Sequence, residues 1–162
     1  MDAQGPPPAV DERWGELLAD AEATAAEYRE AGWETLVVRP GDVTPLDGEP
    51  FGLDVLAPGD EFEALEALVD DVAFDTSHVY RADEGGVRFV IVAVVASDDE
   101  VAVVVPAFFD LGRVRGLEQR AREEGVMYTH VRPLSDDARV TFTHDDPGPF
   151  FDDAAGGDGD GA

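Results

Sequence analysis

Lysine is missing altogether from the 162 residues, and so are cysteine and asparagine; isoleucine occurs once, at Ile91. Without cysteine there is no disulfide, no thiolate metal ligand and no cysteine nucleophile. Without lysine there is no Schiff-base or amine nucleophile. Every fixed positive charge is one of eleven arginines, set against 37 acids. Long apolar runs are absent too. Phe89 to Ala96 and Val101 to Phe109, the latter broken by Pro106, are the longest, far short of the about 20 residues that span a bilayer. Residues 1–9 carry Asp2 and Pro6, Pro7 and Pro8 but neither a basic stretch nor an apolar one, so no signal peptide is read there. A soluble, cytoplasmic chain without a membrane partner is the expectation. No Walker loop, dinucleotide fingerprint or nucleophile elbow occurs, which removes the best-marked enzyme classes.

What is present is acid, to a formal net charge of −26. At about 1 M ionic strength the Debye length shrinks to about 3 Å, so such self-repulsion is tolerable inside a cell that keeps molar internal salt. The composition predicts that setting. Acidic disordered chains lack apolar residues, whereas 44% of this one is hydrophobic. GC-rich coding is the rival explanation for the missing lysine, asparagine and isoleucine.

Length and apolar content predict a single α+β domain over 10–151, flanked by a disordered proline-rich start (1–9) and a disordered Gly/Asp tail (152–162). Trp14, Leu17, Leu18, Ala21, Ala25 and Tyr28 recur at helical spacing over 11–31, and Gly32 follows as a stop. TLVVR at 35–39 reads as a buried strand, followed by an eleven-residue loop to Pro50 and a short alternating strand at 51–55. Asp60 and Glu63 suggest a capping box opening a second helix with Phe62, Leu65, Leu68, Val69 and Val72 on its buried face. Next comes a three-strand meander: 77–83, 87–96 and 101–109. Gly85-Gly86 is a two-residue hairpin loop that sets Asp83 opposite Arg88. The middle strand is apolar at every position, so both of its faces must be covered. Pro106 places the far end of the third strand at an edge or a bulge. A third helix runs from an Asp110 cap to Glu124, and a strand pair, 127–132 and 139–144, closes the chain. The predicted fold is α+β, a mainly antiparallel sheet with three helices in the order α-β-β-α-β-β-β-α-β-β.

Charge is uneven. Residues 113–139 hold six arginines and five acids, and four of those arginines flank the third helix's apolar stripe: Arg113 and Arg120 on one side, Arg115 and Arg122 on the other. Guanidinium forks suit an anionic ligand or partner; equally, such stems lie along a core edge and pair with neighbouring acids. Nucleic acid is not expected, because its attraction falls steeply with salt. If Tyr128 faces His144 across the last strand pair, then Tyr128, His130, Arg132 and His144 share one face and form the catalytic candidates. A one-residue slip would divide them. Adjacent acids follow from composition, so no metal site and no cofactor are predicted. The loop 40–45 is a further candidate, because long structured loops often carry function.

The segments GWETLVVRPGDVTPL (32–46), EFEALEALVDDVAFDTSHVYR (61–81), VPAFFDL (105–111), GVMYTHVRPLS (125–135) and VTFTHDDPGPFF (140–151) together resemble a family of small acidic haloarchaeal proteins of unassigned function. The resemblance implies lineage and a salt-rich cytoplasm, and no activity. The element order is also similar to that of roadblock/longin-like dimerising scaffolds, a likeness at fold level alone. The sequence therefore points to a protein-interaction module, homodimeric or bound to another protein, with the valine-rich third strand and Phe108-Phe109 awaiting cover. The alternative is a small-ligand or metal-dependent enzyme built on the Tyr/His/Arg/His patch.

Overall fold

The computed structural model describes residues 8–152, with side chains from Glu12 onward; of the disorder predicted at 1–9 and 152–162, residues 1–7 and 153–162 lie outside the described residues, whereas Pro8 and Ala9 belong to the first helix. The elements are α1 (Pro8–Glu30), β1 (Glu34–Val37), β2 (Asp42–Asp47), β3 (Phe51–Leu56), α2 (Gly59–Val69), β4 (Thr76–Glu84), β5 (Val87–Ala96), β6 (Val101–Asp110), α3 (Arg115–Glu124), β7 (Met127–Arg132), β8 (Val140–His144) and α4 (Gly148–Phe151). A 3₁₀ turn, Leu111–Arg113, precedes α3. The strands form two four-stranded sheets: sheet A in the order β1-β6-β5-β4, sheet B in the order β2-β3-β7-β8. Each is mixed, since β1 runs parallel to β6 and β3 parallel to β7. The α+β class stands, but one mainly antiparallel sheet with three helices becomes two mixed sheets with four α-helices.

Sheet A sits between α1 and sheet B, which explains the unbroken apolar run of β5. Phe89 and Ile91 pack with Leu17, Ala21 and Ala25 of α1. The alternate residues Val90, Val92 and Val94 pack with Leu53, Val55 and Val131 of sheet B. Burying each such large side chain contributes roughly 1.5–3 kcal/mol. β6 is divided the same way, Val104 toward α1 and Val103 and Val105 toward sheet B. The third meander strand is therefore covered within the chain, by α1 and by β1, and needs no partner for that purpose. Pro106 pairs with Ile91 of β5, while β1 reaches only as far as Val104. Its missing N–H thus costs no ladder bond: a central strand has an edge where its neighbour stops.

The meander follows the sequence expectation. Gly85 and Gly86 adopt φ of 62° and 83°, the double left-handed pair of a type I′ turn. Asp83 lies opposite Arg88, and Arg88 grips it with Nε–H and Nη2–H at 2.7 and 2.8 Å. Those bonds hold the Asp83 carboxyl below the usual carboxylate range despite partial burial.

Three expectations need correction. The segment read as a loop from Pro40 to Pro50 contains β2, paired antiparallel to β3. Pro45 sits within β2 because β2 is an outer strand, where a proline removes no ladder bond. The capping box is not formed. Helix α2 begins after Pro58, whose carbonyl accepts from Phe62 N–H at 2.8 Å, and no side chain caps it. Glu61 instead accepts Arg39 N–H. The third helix is interrupted: Asp110 caps the 3₁₀ turn through Gly112 N–H, and α3 starts only at Arg115.

Gly52 ties β3 to β7. Its φ is 133°, and a Cβ there would collide with the Tyr128 carbonyl, so backbone strain and a steric clash combine. Gly52→Ala should cost at least about 2 kcal/mol, read as a lowered urea midpoint at constant salt.

Candidate functional site

Sheet B carries the polar residues that the sequence singled out, and its register decides which of them meet. Met127, not Tyr128, lies opposite His144; Tyr128 faces Thr143 and His130 faces Thr141. The pairing is slipped by one residue from the simple hairpin, and a slip of one reverses every side chain. Tyr128, His130 and Arg132 remain on the face directed away from sheet A, whereas His144 points inward.

On the outer face, pairing sets Thr44, Asp54, His130 and Thr141 in one row across all four strands. Arg132 Nε–H is shared between the two oxygens of Asp54, at 3.0 Å each. His130 is only 4% exposed, and both ring nitrogens are engaged. Nε2 lies 2.8 Å from the Phe51 carbonyl and Nδ1 3.0 Å from the Thr141 hydroxyl. A carbonyl only accepts, so Nε2 carries the proton; in the neutral ring Nδ1 then accepts from Thr141. Tyr128 stacks beside the imidazole, centroids 5.8 Å apart. A cleft of about 340 Å³ lies here, lined by Pro50, Phe51, Arg120, Tyr128, His130 and Thr141.

On the inner side His144, 1% exposed, bridges the two sheets. Its Nδ1 lies 2.7 Å from Ser77 Oγ of β4, and its Nε2 lies 2.8 Å from Thr129 Oγ1 of β7. Burial, with His130 nearby as a second cause, pushes its pKa down to about 4, so the ring is neutral near pH 7. In the neutral ring one nitrogen donates and the other accepts, so one of the two hydroxyls donates to the imidazole and the other accepts from it. Ser77 and His144 also border a cleft of about 410 Å³ between β4 and β8. Asp145 and Asp146 border that cleft, and Asp146 is already occupied by Gly148 N–H. Among the described residues no group of three histidine or acidic side chains converges as a metal would require.

The arginines of the third helix divide likewise. Arg120 binds Glu49 and Glu124 and lies 4.9 Å over the Phe51 ring. Arg122 binds Glu118 and Asp152. Arg113 and Arg115 are exposed, and neither has an ion pair with a described residue. Arg113 reaches a cleft of about 390 Å³ formed with Asp42, Thr44, Pro45 and Phe108, so the candidate 40–45 segment and one helix arginine do come together. Sequence reasoning missed Asp54, Ser77, Thr129 and Thr141. Asp54 left a signal, as the one charge inside an otherwise apolar strand; the three hydroxyls left none, since their partners lie on other strands.

Comparison with known proteins gives a lineage. The model of a family of unknown function (DUF7529) matches residues 4–152, and the chain belongs to that family. No curated protein and no solved structure matches it.

Proposed function

We propose that this member of the family is a protein-interaction module of a salt-rich cytoplasm, and that it takes up its partner as an added strand along β4. The observation that carries the reading is the outer edge of sheet A. β4 is nine residues long, contains no proline, and is an outer strand. Its central residue, Tyr80, is 52% exposed, and with Leu134 it is one of two exposed large hydrophobics among the described residues. Edges that are not meant to pair are blunted by charge, proline or shortness. β1 has four residues, β2 contains Pro45 between two terminal aspartates, and β8 has five residues. Between Thr76 and Ala82 the one formally charged residue of β4 is Arg81, which is half-buried and donates through Nη1–H to the Pro149 carbonyl. Strand addition draws affinity from main-chain hydrogen bonds, which molar salt weakens far less than it weakens ion pairs. The enzyme reading loses its geometric premise, because His144 lies on the opposite face of sheet B from Tyr128, His130 and Arg132.

The test is recovery of partners from native lysate in about 2 M KCl, with wild-type chain and with Tyr80→Lys, a residue that natural edges use to refuse pairing. The substitution is at an exposed site, so stability should move within about 0.5 kcal/mol. Loss of the partner, with hydrogen exchange of β4 slowed only in the wild-type complex, is the expected result. A partner retained in full by Tyr80→Lys, with β4 amides exchanging as in the free chain, refutes the reading.

A further inference from the structure

We infer that the strand received by β4 is β4 of a second copy, paired antiparallel about a two-fold axis through Tyr80; this rests on the strand-edge reading above. The backbone direction of β4 can be read from its neighbour. The Val95 carbonyl accepts from Asp75 N–H, so the backbone groups of Val95 face β4. Thr76, directly opposite Val95, turns its own groups toward β5. Alternation then aims those of Ser77, Val79 and Asp83 at the outer edge.

An antiparallel pair of identical strands closes on itself only if the residues opposed across the axis are compatible. Tyr80 is the midpoint of Thr76–Glu84. Centring the axis there sets His78 opposite Ala82, Ser77 opposite Asp83 and Thr76 opposite Glu84. No acid meets an acid, and Asp83 already has Arg88 as its counter-charge. The two Tyr80 residues become a non-hydrogen-bonded pair, the closer of the two cross-strand geometries, and each ring gains a partner for its exposed surface.

Charge explains why a second copy is received at this edge rather than elsewhere. Two molecules of formal charge −26 repel over most of their surfaces. From Thr76 to Ala82 there is no acid at all, and these residues form the long outer strand rather than a covered one. Another copy can therefore pair along β4 with no carboxylate directly opposite another. The paired sheets A would then run as one eight-stranded sheet, with both copies of β4 at its centre.

The chain's lack of cysteine supplies a clean probe. Tyr80→Cys places a single thiol on the proposed axis, where the Cβ atoms of a non-hydrogen-bonded pair approach to about 4.5–5.5 Å, near disulfide range. Arg139→Cys places one at an exposed position beside β8 as a control. Both full-length variants are oxidised mildly in about 2 M KCl, after their near-ultraviolet dichroism has been matched to wild type. The wild type and Tyr80→Lys are weighed by sedimentation equilibrium.

The expected result is a wild-type dimer that Tyr80→Lys converts to monomer. Tyr80→Cys cross-links most of the chain, and Arg139→Cys does not. A monomeric wild type overturns self-pairing, and so does a dimer in which Tyr80→Cys fails to cross-link. The strand-edge reading survives either outcome if Tyr80→Lys still abolishes capture of another protein. It falls with self-pairing if Tyr80→Lys changes neither association nor capture.

Discussion

Dilution from about 1 M to about 0.1 M KCl should abolish the tertiary structure, because the Debye length grows from about 3 Å to about 10 Å. Carboxylates that were mutually screened then interact across the whole surface. Helix α2 makes the cost concrete. It carries Asp60, Glu61, Glu63 and Glu66 and no base, so like charges three residues apart meet on its surface, each pair mildly destabilising. The opposing ion pairs offer little. Arg13–Glu16, Arg122–Glu118 and Arg120–Glu124 lie at or near the surface, where such pairs are worth at most about 1 kcal/mol each. Eleven arginines cannot neutralise 37 acids however they are arranged. Cooperative loss of near-ultraviolet dichroism as salt falls, with recovery when it is restored, is the expected result. A chain whose composition came only from GC-rich coding would keep its native spectrum in low-salt buffer, and that spectrum would refute salt adaptation.

Acid should loosen the contact between the two sheets through His144. Its folded pKa is depressed from 6.5 to about 4, chiefly because the ring is buried between sheets A and B. An unfolded chain takes up the proton first, so this group's contribution is fully present above pH 6.5 and is lost as pH falls from 6.5 toward 4. Integrated over that window, the loss is about 3 kcal/mol, a large part of a typical domain's stability. Protonation adds a second cost, since both ring nitrogens then donate and the hydroxyl that had donated to the neutral ring loses that acceptor. Protonation of surface acids acts in the opposite sense by relieving repulsion, so the measurement is comparative. Urea midpoints of wild type and His144→Gln are followed at constant molar salt from about pH 7 downward. The wild-type midpoint should fall more steeply than that of the variant. Parallel pH profiles would show that His144 is not a buried neutral bridge.

The outer edge of β4 is visible only once the strand order is known. Periodicity identified β4, β5 and β6 and their two turns, and Tyr80 was one residue of an alternating strand. That β4 rather than β6 is the outer strand of the meander follows from β1 pairing with β6, a contact between residues about 67 positions apart in the chain, as the pairing of Glu34 with Val101 shows. Propensity has no access to a contact of that range.

Turn chemistry, helical periodicity and charge were enough by themselves to determine the acidic α+β character of the chain. They also gave helix α1 with its Leu17–Ala21–Ala25 stripe, and the Asp83–Arg88 register across Gly85-Gly86. All of these are set by residues within a few positions of one another. The tertiary structure alone decided the division into two sheets, the strand β2 within a proline-punctuated segment, and the face on which each histidine lies. The connection from Pro133 to Arg139 is too long to impose a register on β7 and β8. That register is fixed by Phe142 entering the core and by His144 meeting Ser77 and Thr129. Those partners lie on β4 and β7, so the patch that the sequence drew on one face is divided between two.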